Sequence, residues 1–285
     1  MKTTTGKISD WVLKNANGRD LDTQIQAVET TGQHGAPQAL RLMALGANGF
    51  LGAPKPADLA LIFGCYRPFT TPNILREVSW IFARLGVSHT WLEKEYCCGQ
   101  PLLHQVASED RPQMLELMKG FLAGNGAAAA KNGATRLAYC CAACAHAAKS
   151  LNLEGTLVHS YILDVLLEVV QGQSLRIKPL KVAYFGGCHS SHQKYFPQPM
   201  LNWAGYRAFL DGVEGLAVQD LAGVMCCKKQ PERIVAAAQE GGAEAIVCAC
   251  SACTAGLRGA AQGKMRIMSY SEVLARALGY EPQAL

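Results

Sequence analysis

The sequence has no uninterrupted run of about 18 apolar residues of the kind that crosses a bilayer. Its opening, Met-Lys-Thr-Thr-Thr-Gly, also lacks the apolar core of a signal peptide. Charged residues make up only 17% of the chain, and the net charge of +5 is scattered rather than gathered into a basic stripe. We therefore expect no transmembrane segment, no nucleic-acid partner, and a cytoplasmic location in which thiols stay reduced.

Two phosphate-binding motifs, G-x-G-x-x-G and G-x4-G-K-S/T, are also missing. Such glycine-rich loops bring backbone N–H groups close to phosphates, so the sequence predicts no bound nucleotide or flavin. Any electrons that the chain uses must then come from another subunit. With 285 residues, of which 49% are hydrophobic, the chain can bury one large core or two moderate ones.

Cysteine, in contrast, is abundant, and its twelve residues follow one order that occurs twice. Each half has a single cysteine after an apolar run, then an adjacent pair, then a Cys-x2-Cys. The first series is Cys65, Cys97, Cys98, Cys141 and Cys144, and the second is Cys188, Cys226, Cys227, Cys250 and Cys253. Cys140 and Cys248 are extra residues beside the two Cys-x2-Cys turns, and we expect them to be buried strand residues or surplus ligands.

The repetition extends beyond the cysteines. A shift of 109 residues carries the Cys-x2-Cys at 141–144 onto that at 250–253 and Ser160-Tyr161 onto Ser269-Tyr270. The same shift superimposes the alanine-rich segment 127–134 on 236–243. One shift that covers a helix end, a strand and a ligand turn indicates two copies of one supersecondary unit.

The hydrophobic pattern predicts an α/β fold in each copy. Strands are expected at 59–63, 136–139, 182–185 and 245–247, and helices at 74–85, 161–170 and 271–278. The single cysteines and the Cys-x2-Cys turns follow these strands directly. Because ligands of open α/β sheets bind at the carboxyl ends of the strands, we expect the cysteines to converge there.

The predicted domains are an N-terminal helical extension (1–57) and two pseudo-symmetric subdomains (58–172 and 173–285). In the extension, helices are expected at 9–14 and 36–45, and the Gly-Ala-Pro-Lys-Pro at 52–56 is predicted to be a linker. Amphipathic helices of this kind mostly pack on a core. The extension is therefore expected to be a helical cap, and docking of a partner is the alternative.

Five thiolates in each half exceed the four ligands of a tetrahedral metal ion. Adjacent cysteines can ligate two neighbouring irons or bridge them through one sulfur, whereas a single zinc ion rarely takes both. Zinc ribbons and thioredoxin-like proteins also use Cys-x2-Cys, so zinc binding and metal-free thiol chemistry remain alternatives. The complete pattern favours an iron–sulfur cluster in each half.

The pattern Cys65-x31-Cys97-Cys98-Gly99-x41-Cys141-x2-Cys144 resembles the cysteine-rich CCG domain of the HdrB family, the catalytic subunits of heterodisulfide reductases, and of their relatives. The likeness covers about residues 58–280 and includes Pro101 and Leu102 after the Cys-Cys-Gly. It implies that each five-cysteine motif binds a non-cubane [4Fe-4S] cluster. It also implies that the two clusters flank a small-molecule or carrier-bound disulfide. Electrons would arrive from a ferredoxin-like subunit (HdrC type) and a flavoprotein subunit (HdrA type).

The second half departs from this pattern. Lys228-Lys229 follows the cysteine pair in place of glycine, and only 22 residues separate Cys227 from Cys250, against 42 between Cys98 and Cys141. We expect that about one helix, corresponding to 110–123, is missing. The second subdomain is therefore a shortened variant, and the type of its cluster is left open. The lysine pair could hold an anionic substrate, although such pairs are mostly solvated turns.

Three histidines are candidate proton donors, because two-electron cleavage of a disulfide also needs two protons. They are His189 beside Cys188, His192, and His104 after the first cysteine pair. A histidine in a strand-to-helix turn can instead serve only as a hydrogen-bond partner of the backbone. His159 matches Met268 in the other repeat, which favours a structural role.

Two functions follow from these predictions. In the first, the chain is the catalytic iron–sulfur subunit of a heterodisulfide-reductase-like complex, an oxidoreductase that reduces or forms a sulfur–sulfur bond. In the second, it is an electron-transfer subunit that relays electrons between a flavoprotein dehydrogenase and a carrier. Adjacent cysteines in both halves exceed the needs of a cubane cluster and favour the first.

Overall fold

The computed structural model describes residues 18–151, 153, 155, 157–190, 201–221 and 226–281. These residues form two compact units. The first contains the described residues up to 75 together with 88–162, and the second contains 76–87 together with the described residues from 163 onward. Within these described ranges, no helix is both long enough and apolar enough to cross a membrane.

The first unit is built on a four-stranded parallel sheet with the strand order β2-β1-β3-β4. Its strands are β1 (Leu59–Ile62), β2 (Thr90–Trp91), β3 (Arg136–Tyr139) and β4 (Val158–Tyr161). Every residue of β1 is buried, as expected for a strand that is covered on both faces of a parallel sheet. The predicted strands at 59–63 and 136–139 are confirmed.

The second unit has a parallel sheet with the corresponding order, β6-β5-β7-β8. Its strands are β5 (Arg176–Phe185), β6 (Glu214–Asp220), β7 (Ala245–Cys248) and β8 (Arg266–Ser269). The predicted strands at 182–185 and 245–247 are confirmed, although β5 begins six residues earlier than expected. Its first half is largely exposed, so the apolar pattern marks only the buried end. The α/β class is thereby confirmed for two similar units.

Helices follow the strands in both units. In chain order they are α1 (Leu21–Thr31), α2 (Gln38–Gly46), α3 (Arg67–Thr70), α4 (Pro72–Arg84), α5 (Gln100–Leu103), α6 (Arg111–Lys131), α7 (Ala142–Ser150), α8 (Ile162–Val169), α9 (Trp203–Leu210), α10 (Pro231–Glu240), α11 (Ser251–Ala261) and α12 (Tyr270–Ala277). The predicted helices at 74–85, 161–170 and 271–278 are found as α4, α8 and α12 with ends displaced by at most two residues.

The N-terminal extension is helical, as predicted, but its helices differ from those expected. Helix α2 corresponds to the prediction at 36–45, and the prediction at 9–14 lies outside the described residues. Helix α1 was not expected. The Asp20 side chain caps it by accepting from Thr23 N–H at 2.9 Å, and Gly32 ends it in the left-handed conformation with φ 78°. Both signals are present in the sequence.

One helix accounts for about half of the length difference between the two halves. Helix α6 has 21 residues, whereas α10 has 10. With the repeat shift of 109, α10 matches the second half of α6, residues 122–131. The expectation that about one helix and its loops are missing over 110–123 is therefore met only in part, because the second unit lacks the beginning of this helix and keeps its end.

Gly215 in β6 generates a prediction about the second unit. Its φ is 87°, and a Cβ atom there would lie 2.2 Å from the Ile177 carbonyl oxygen of β5, beside the register shift between these strands. We expect Gly215→Ala to lower the free energy of unfolding by about 3 kcal/mol, because strand β5 must move in addition to the left-handed strain. Urea unfolding followed by circular dichroism measures this loss.

Gly279 provides the matched control. It also has a positive φ, 98°, but an added Cβ would meet no atom within 4 Å. Gly279→Ala should therefore cost only the backbone strain, about 1 kcal/mol. Equal losses for the two variants would show that the approach of Gly215 to Ile177 is unimportant.

Candidate functional site

The first cysteine series meets at the carboxyl ends of β1 and β3. Cys65 follows β1 after a turn at Gly64, while Cys141 is the N-cap of α7 and Cys144 lies in its first turn. Gly64 has φ 78°, and a Cβ atom there would come within 3.4 Å of Cys144 Sγ. A glycine at this turn therefore lets the backbone before Cys65 pass close to the other thiols.

The five thiols of this series interact with one another. Cys97 Sγ donates to Cys65 Sγ at 3.5 Å. The pKa values of the other thiols are linked in pairs, Cys97 with Cys98, Cys98 with Cys144, and Cys144 with Cys141. All five side chains are buried. The fold thus brings together every cysteine that the sequence predicts for the first site.

Hydrogen bonding divides these thiols into two kinds. The pKa of Cys98 is held well below its ordinary value, chiefly by a hydrogen bond with Cys144. A hydrogen bond with Cys144 is also the main cause that lowers the pKa of Cys141 to about 6. The pKa of Cys97 is raised, chiefly by its hydrogen bond to Cys65, and the pKa of Cys144 by its hydrogen bond to Cys141. The pKa values of these two thiols are therefore shifted toward the thiolate, the form that binds metal.

The second series has corresponding contacts. The pKa of Cys188 is raised in part by Cys226, and that of Cys253 by both Cys227 and Cys250. Cys188 and Cys226 are only half-buried, and burial is the main cause that raises the pKa of Cys188 to about 12. The second unit thus brings its five cysteines into one group that is more open to solvent than the first.

Two backbone features recur at the same places in both units. Gly187 before Cys188 has φ 84°, and a Cβ atom there would lie 2.8 Å from Cys253 Sγ. The N-caps Cys141 and Cys250 share nearly the same dihedral angles, φ −117° with ψ 125° and φ −115° with ψ 127°. Cys141 and Cys250 each lie at a helix N-terminus, where the unpaired N–H groups and the helix dipole stabilise negative charge.

The donor set fits a cluster rather than a single ion. All twelve cysteines lie among the described residues, and none forms a disulfide bond. Each site offers five sulfurs, whereas one tetrahedral ion takes four. Across the same described residues, no group of three or more His, Cys, Asp or Glu side chains is arranged to hold one metal ion. Thiolates are the ligands of iron–sulfur clusters, so the five-sulfur donor set fits such a group.

The extra cysteines differ from the ten converging ones. Cys140 is fully buried, and burial, followed by the charges of Glu95 and Cys141, raises its pKa well above the ordinary value. Cys248 is also buried, which raises its pKa, and its side chain has a hydrogen bond with Thr254. These interactions are those of small residues at strand ends.

The predicted histidines lie in different surroundings. His104 is exposed at the C-terminal end of α5, and His189 is half-buried in the short 3-10 turn 188–190. His192 lies outside the described residues. His159 Nδ1 lies 2.8 Å from the Tyr139 hydroxyl oxygen, which is consistent with the structural role expected for this histidine. Lys228 and Lys229 are exposed.

Glu95 is a buried residue of the first site that the cysteine pattern did not reveal. Its two carboxylate oxygens accept from the backbone N–H groups of Phe63 (2.9 Å) and Gly64 (2.7 Å). These groups form the turn that leads to Cys65, while Glu95 itself lies two residues before Cys97. One carboxylate thus fixes the turn to one cysteine relative to the loop of the cysteine pair.

Arg41 of α2 pairs with Glu95. Its Nη2 atom lies 2.6 Å from Glu95 Oε1, and Nη1 donates to the carbonyls of Leu92 and Glu93. Burial raises the pKa of Glu95, and Arg41 together with the two N–H donors opposes that rise. The N-terminal extension therefore supplies the buried cation that opposes protonation of this carboxylate.

The loop after α1 also contacts the cysteine pair. Cys97 N–H donates to the Gly32 carbonyl at 2.7 Å. His34, two residues after Gly32, is buried. Its Nδ1 atom lies 2.5 Å from the Tyr66 hydroxyl oxygen, and its Nε2 atom contacts Gln24 Oε1. Because Gln24 Oε1 can only accept, His34 carries its proton on Nε2 and accepts the Tyr66 hydroxyl proton at Nδ1. Burial lowers the pKa of His34 to about 4, so the ring is neutral.

Glu95 generates a prediction about the first unit. Glu95→Gln places an NH2 group against a backbone donor and leaves Arg41 buried without a counter-charge. We expect the free energy of unfolding to fall by about 3 kcal/mol, as when one partner of a buried pair is removed. Urea unfolding of the anaerobically purified protein measures this loss. Glu93→Gln, two residues away with an exposed side chain, should change little.

Adding Arg41→Met to Glu95→Gln removes the unpaired cation. We expect the double variant to regain part of the lost stability, because no isolated charge then remains buried. A loss in the double variant equal to the sum of the two single losses would contradict the pairing.

Comparison with known proteins supports a cysteine-rich domain in the first half. Residues 59–148 match the family model described as CCG: Cysteine-rich domain. No curated protein matches the chain. Among solved structures, an aspartate racemase homologue from Pyrococcus horikoshii OT3 is 16% identical, with TM-score 0.35, over 78% of this chain and 96% of that one. A proposed Asp/Glu racemase from Yersinia pestis is 14% identical, with TM-score 0.39, over 78% and 97%. The segment that carries the first cysteine series is thus similar to the CCG cysteine-rich family.

Proposed function

We propose that the chain is the catalytic iron–sulfur subunit of a heterodisulfide-reductase-like complex. In this proposal a non-cubane [4Fe-4S] cluster is held in each of the two pseudo-symmetric subdomains, 58–172 and 173–285. The observation that carries the proposal is the convergence of five thiols, including an adjacent pair, in each unit. Reduced thiols of this number favour a cytoplasmic location.

The reaction class follows from what such a site has to balance. Reduction of a disulfide to two thiols consumes two electrons and two protons, and formation of the bond releases them. Bound clusters would supply the electron transfer and iron sites with affinity for sulfur. The electrons would come from ferredoxin-like and flavoprotein subunits, as in the family that the first motif resembles.

The protein's own residues hold the thiolates and control water and protons. Burial of all five cysteines of the first site excludes water, and the Glu95 carboxylate fixes the turn before Cys65. The half-buried His189 next to Cys188 is the proposed proton donor at the second site. His104 and His192 are the other proposed donors.

The alternative is an electron relay between a flavoprotein dehydrogenase and a carrier. The first site is enclosed, which favours a relay role for that site, because a relay cluster needs no access for a substrate. The second site differs, since Cys188 and Cys226 are half-buried. A substrate that approaches a cluster requires such an opening, so we assign the catalytic role chiefly to the second site.

Iron analysis tests the two-cluster proposal. We expect about eight iron atoms and an equal amount of acid-labile sulfide per chain after anaerobic purification. Cys98→Ala and Cys227→Ala should each remove about half of the iron and the corresponding part of the EPR signal, because each deletes one ligand of a different site. The same replacement at Cys140 and Cys248, which lie beside the ligand turns, should leave iron unchanged. Four irons that are lost only with Cys98→Ala would contradict the proposal.

A thiol probe separates catalysis from relay. An iron that is open for substrate sulfur should bind 2-mercaptoethanol, so the EPR signal assigned to the second site should change on its addition. The Cys227→Ala variant should show no such change. Signals that are insensitive to the probe at both sites would favour the relay.

A further inference from the structure

Arg67 is a buried cation beside the first site. It follows Cys65 by two residues and is only 7% exposed. Its Nη1 nitrogen is buried and has no hydrogen-bond partner within the described part of the chain. A buried guanidinium N–H group without a partner is costly, because it has lost its hydration without gaining a hydrogen bond. Such a residue indicates that negative charge is present nearby in the functional protein.

The fold fixes Arg67 in this position. Helix α3 begins at Arg67, and its turn is closed by hydrogen bonds from the N–H groups of Phe69 and Thr70 to the Tyr66 carbonyl. Phe69 packs against Ala36 of the extension, and residues of α2 cover the same cluster. The extension thus shields the turn that carries Arg67 from water, so the side chain of Arg67 is buried.

The segment that carries Arg67 enters the first site. A Cβ atom at Gly64, three residues before Arg67, would lie 3.4 Å from Cys144 Sγ, and Cys65 Sγ lies 3.5 Å from Cys97 Sγ. The Glu95 carboxylate also contacts this turn, but it is already paired with Arg41, the other buried arginine among the described residues of this unit. The thiols are therefore the source of negative charge that is left for Arg67.

We propose that Arg67 is the counter-charge of the first iron–sulfur site and favours its reduced state. The inference rests on the proposed function, since it requires a cluster bound by these thiolates. Five thiolates give the site net negative charge, and each added electron makes it more negative. A fixed positive charge in a buried, weakly screened position stabilises the reduced state more than the oxidised one. Arg67 thereby raises the reduction potential of this site.

The second site has no cation at the position matched to Arg67. When Gly64-Cys65 is matched to Gly187-Cys188, the residue that corresponds to Arg67 is Ser190, whose hydroxyl donates to the Gly187 carbonyl at 2.6 Å. The two sites therefore share their thiols but not their electrostatic surroundings. Replacing Arg67 should change the potential of the first site alone.

A redox titration of the full chain tests this proposal. The anaerobically purified protein is titrated with dithionite, and the EPR signal that Cys98→Ala abolishes is followed. We expect Arg67→Met and Arg67→Gln to lower the equilibrium constant for reduction of this signal at least tenfold, which is about 59 mV for a one-electron couple. Arg67→Lys should remain near the wild-type value because it keeps the charge.

A matched control removes a cation elsewhere in the same unit. Lys119 is 42% exposed and pairs with Glu116 on the surface, so solvent screens its charge. Lys119→Met changes the net charge by the same amount as Arg67→Met. It should leave the potential of the first site unchanged.

Several outcomes would decide the matter. An unchanged potential in a neutral Arg67 variant that keeps its iron would overturn the proposal and leave the iron–sulfur function intact. If both neutral variants lose iron, retention of iron in Arg67→Lys supports the counter-charge, and loss of iron in Arg67→Lys as well refutes it in favour of a packing role. A wild-type protein without iron would instead refute the proposed function itself.

Discussion

The buried Glu95 carboxylate is the interaction on which the first site depends. It accepts from the backbone at the end of β1, pairs with Arg41 of the extension, and lies two residues before Cys97. Three segments that are distant in sequence are thus held by one charged group. A carboxylate in this position is stable only because its oxygens are bonded and its charge is matched, so the extension, the strand end and the cysteine loop must fold together.

The sites obey a second constraint, which is the geometry of parallel sheets. The carboxyl ends of neighbouring parallel strands lie at one edge, so a cysteine after β1 and a Cys-x2-Cys after β3 meet there without any long connecting structure. The second unit repeats this arrangement through β5 and β7. In both units, a glycine with a positive φ precedes the single cysteine. A side chain at this position would come close to a thiol of the helix that follows β3 or β7.

Sequence reasoning succeeded where a single local rule decides the outcome. The strand β3 and the helix α12 were predicted within a residue, since the apolar pattern alone defines them. It was only partly right for α6 and α10, because the count of residues between cysteines does not say whether a helix is lost or shortened. It also passed over α1, although Asp20 and Gly32 mark its ends, since the helix between them has few apolar residues that would suggest a period.

The sequence by itself determined the chemistry of this protein and the class of its fold. Twelve cysteines in a repeated order indicate thiol chemistry, and apolar runs that end in Gly-Cys indicate the strands that position it. Only the tertiary structure decided which charged residues surround the thiols. Arg41, Glu95 and Arg67 look like surface residues in the sequence, and all three are buried in the structure, where Arg41 of the extension pairs with Glu95. Burial of a charge depends on what packs over it from elsewhere in the chain, and no local pattern records that.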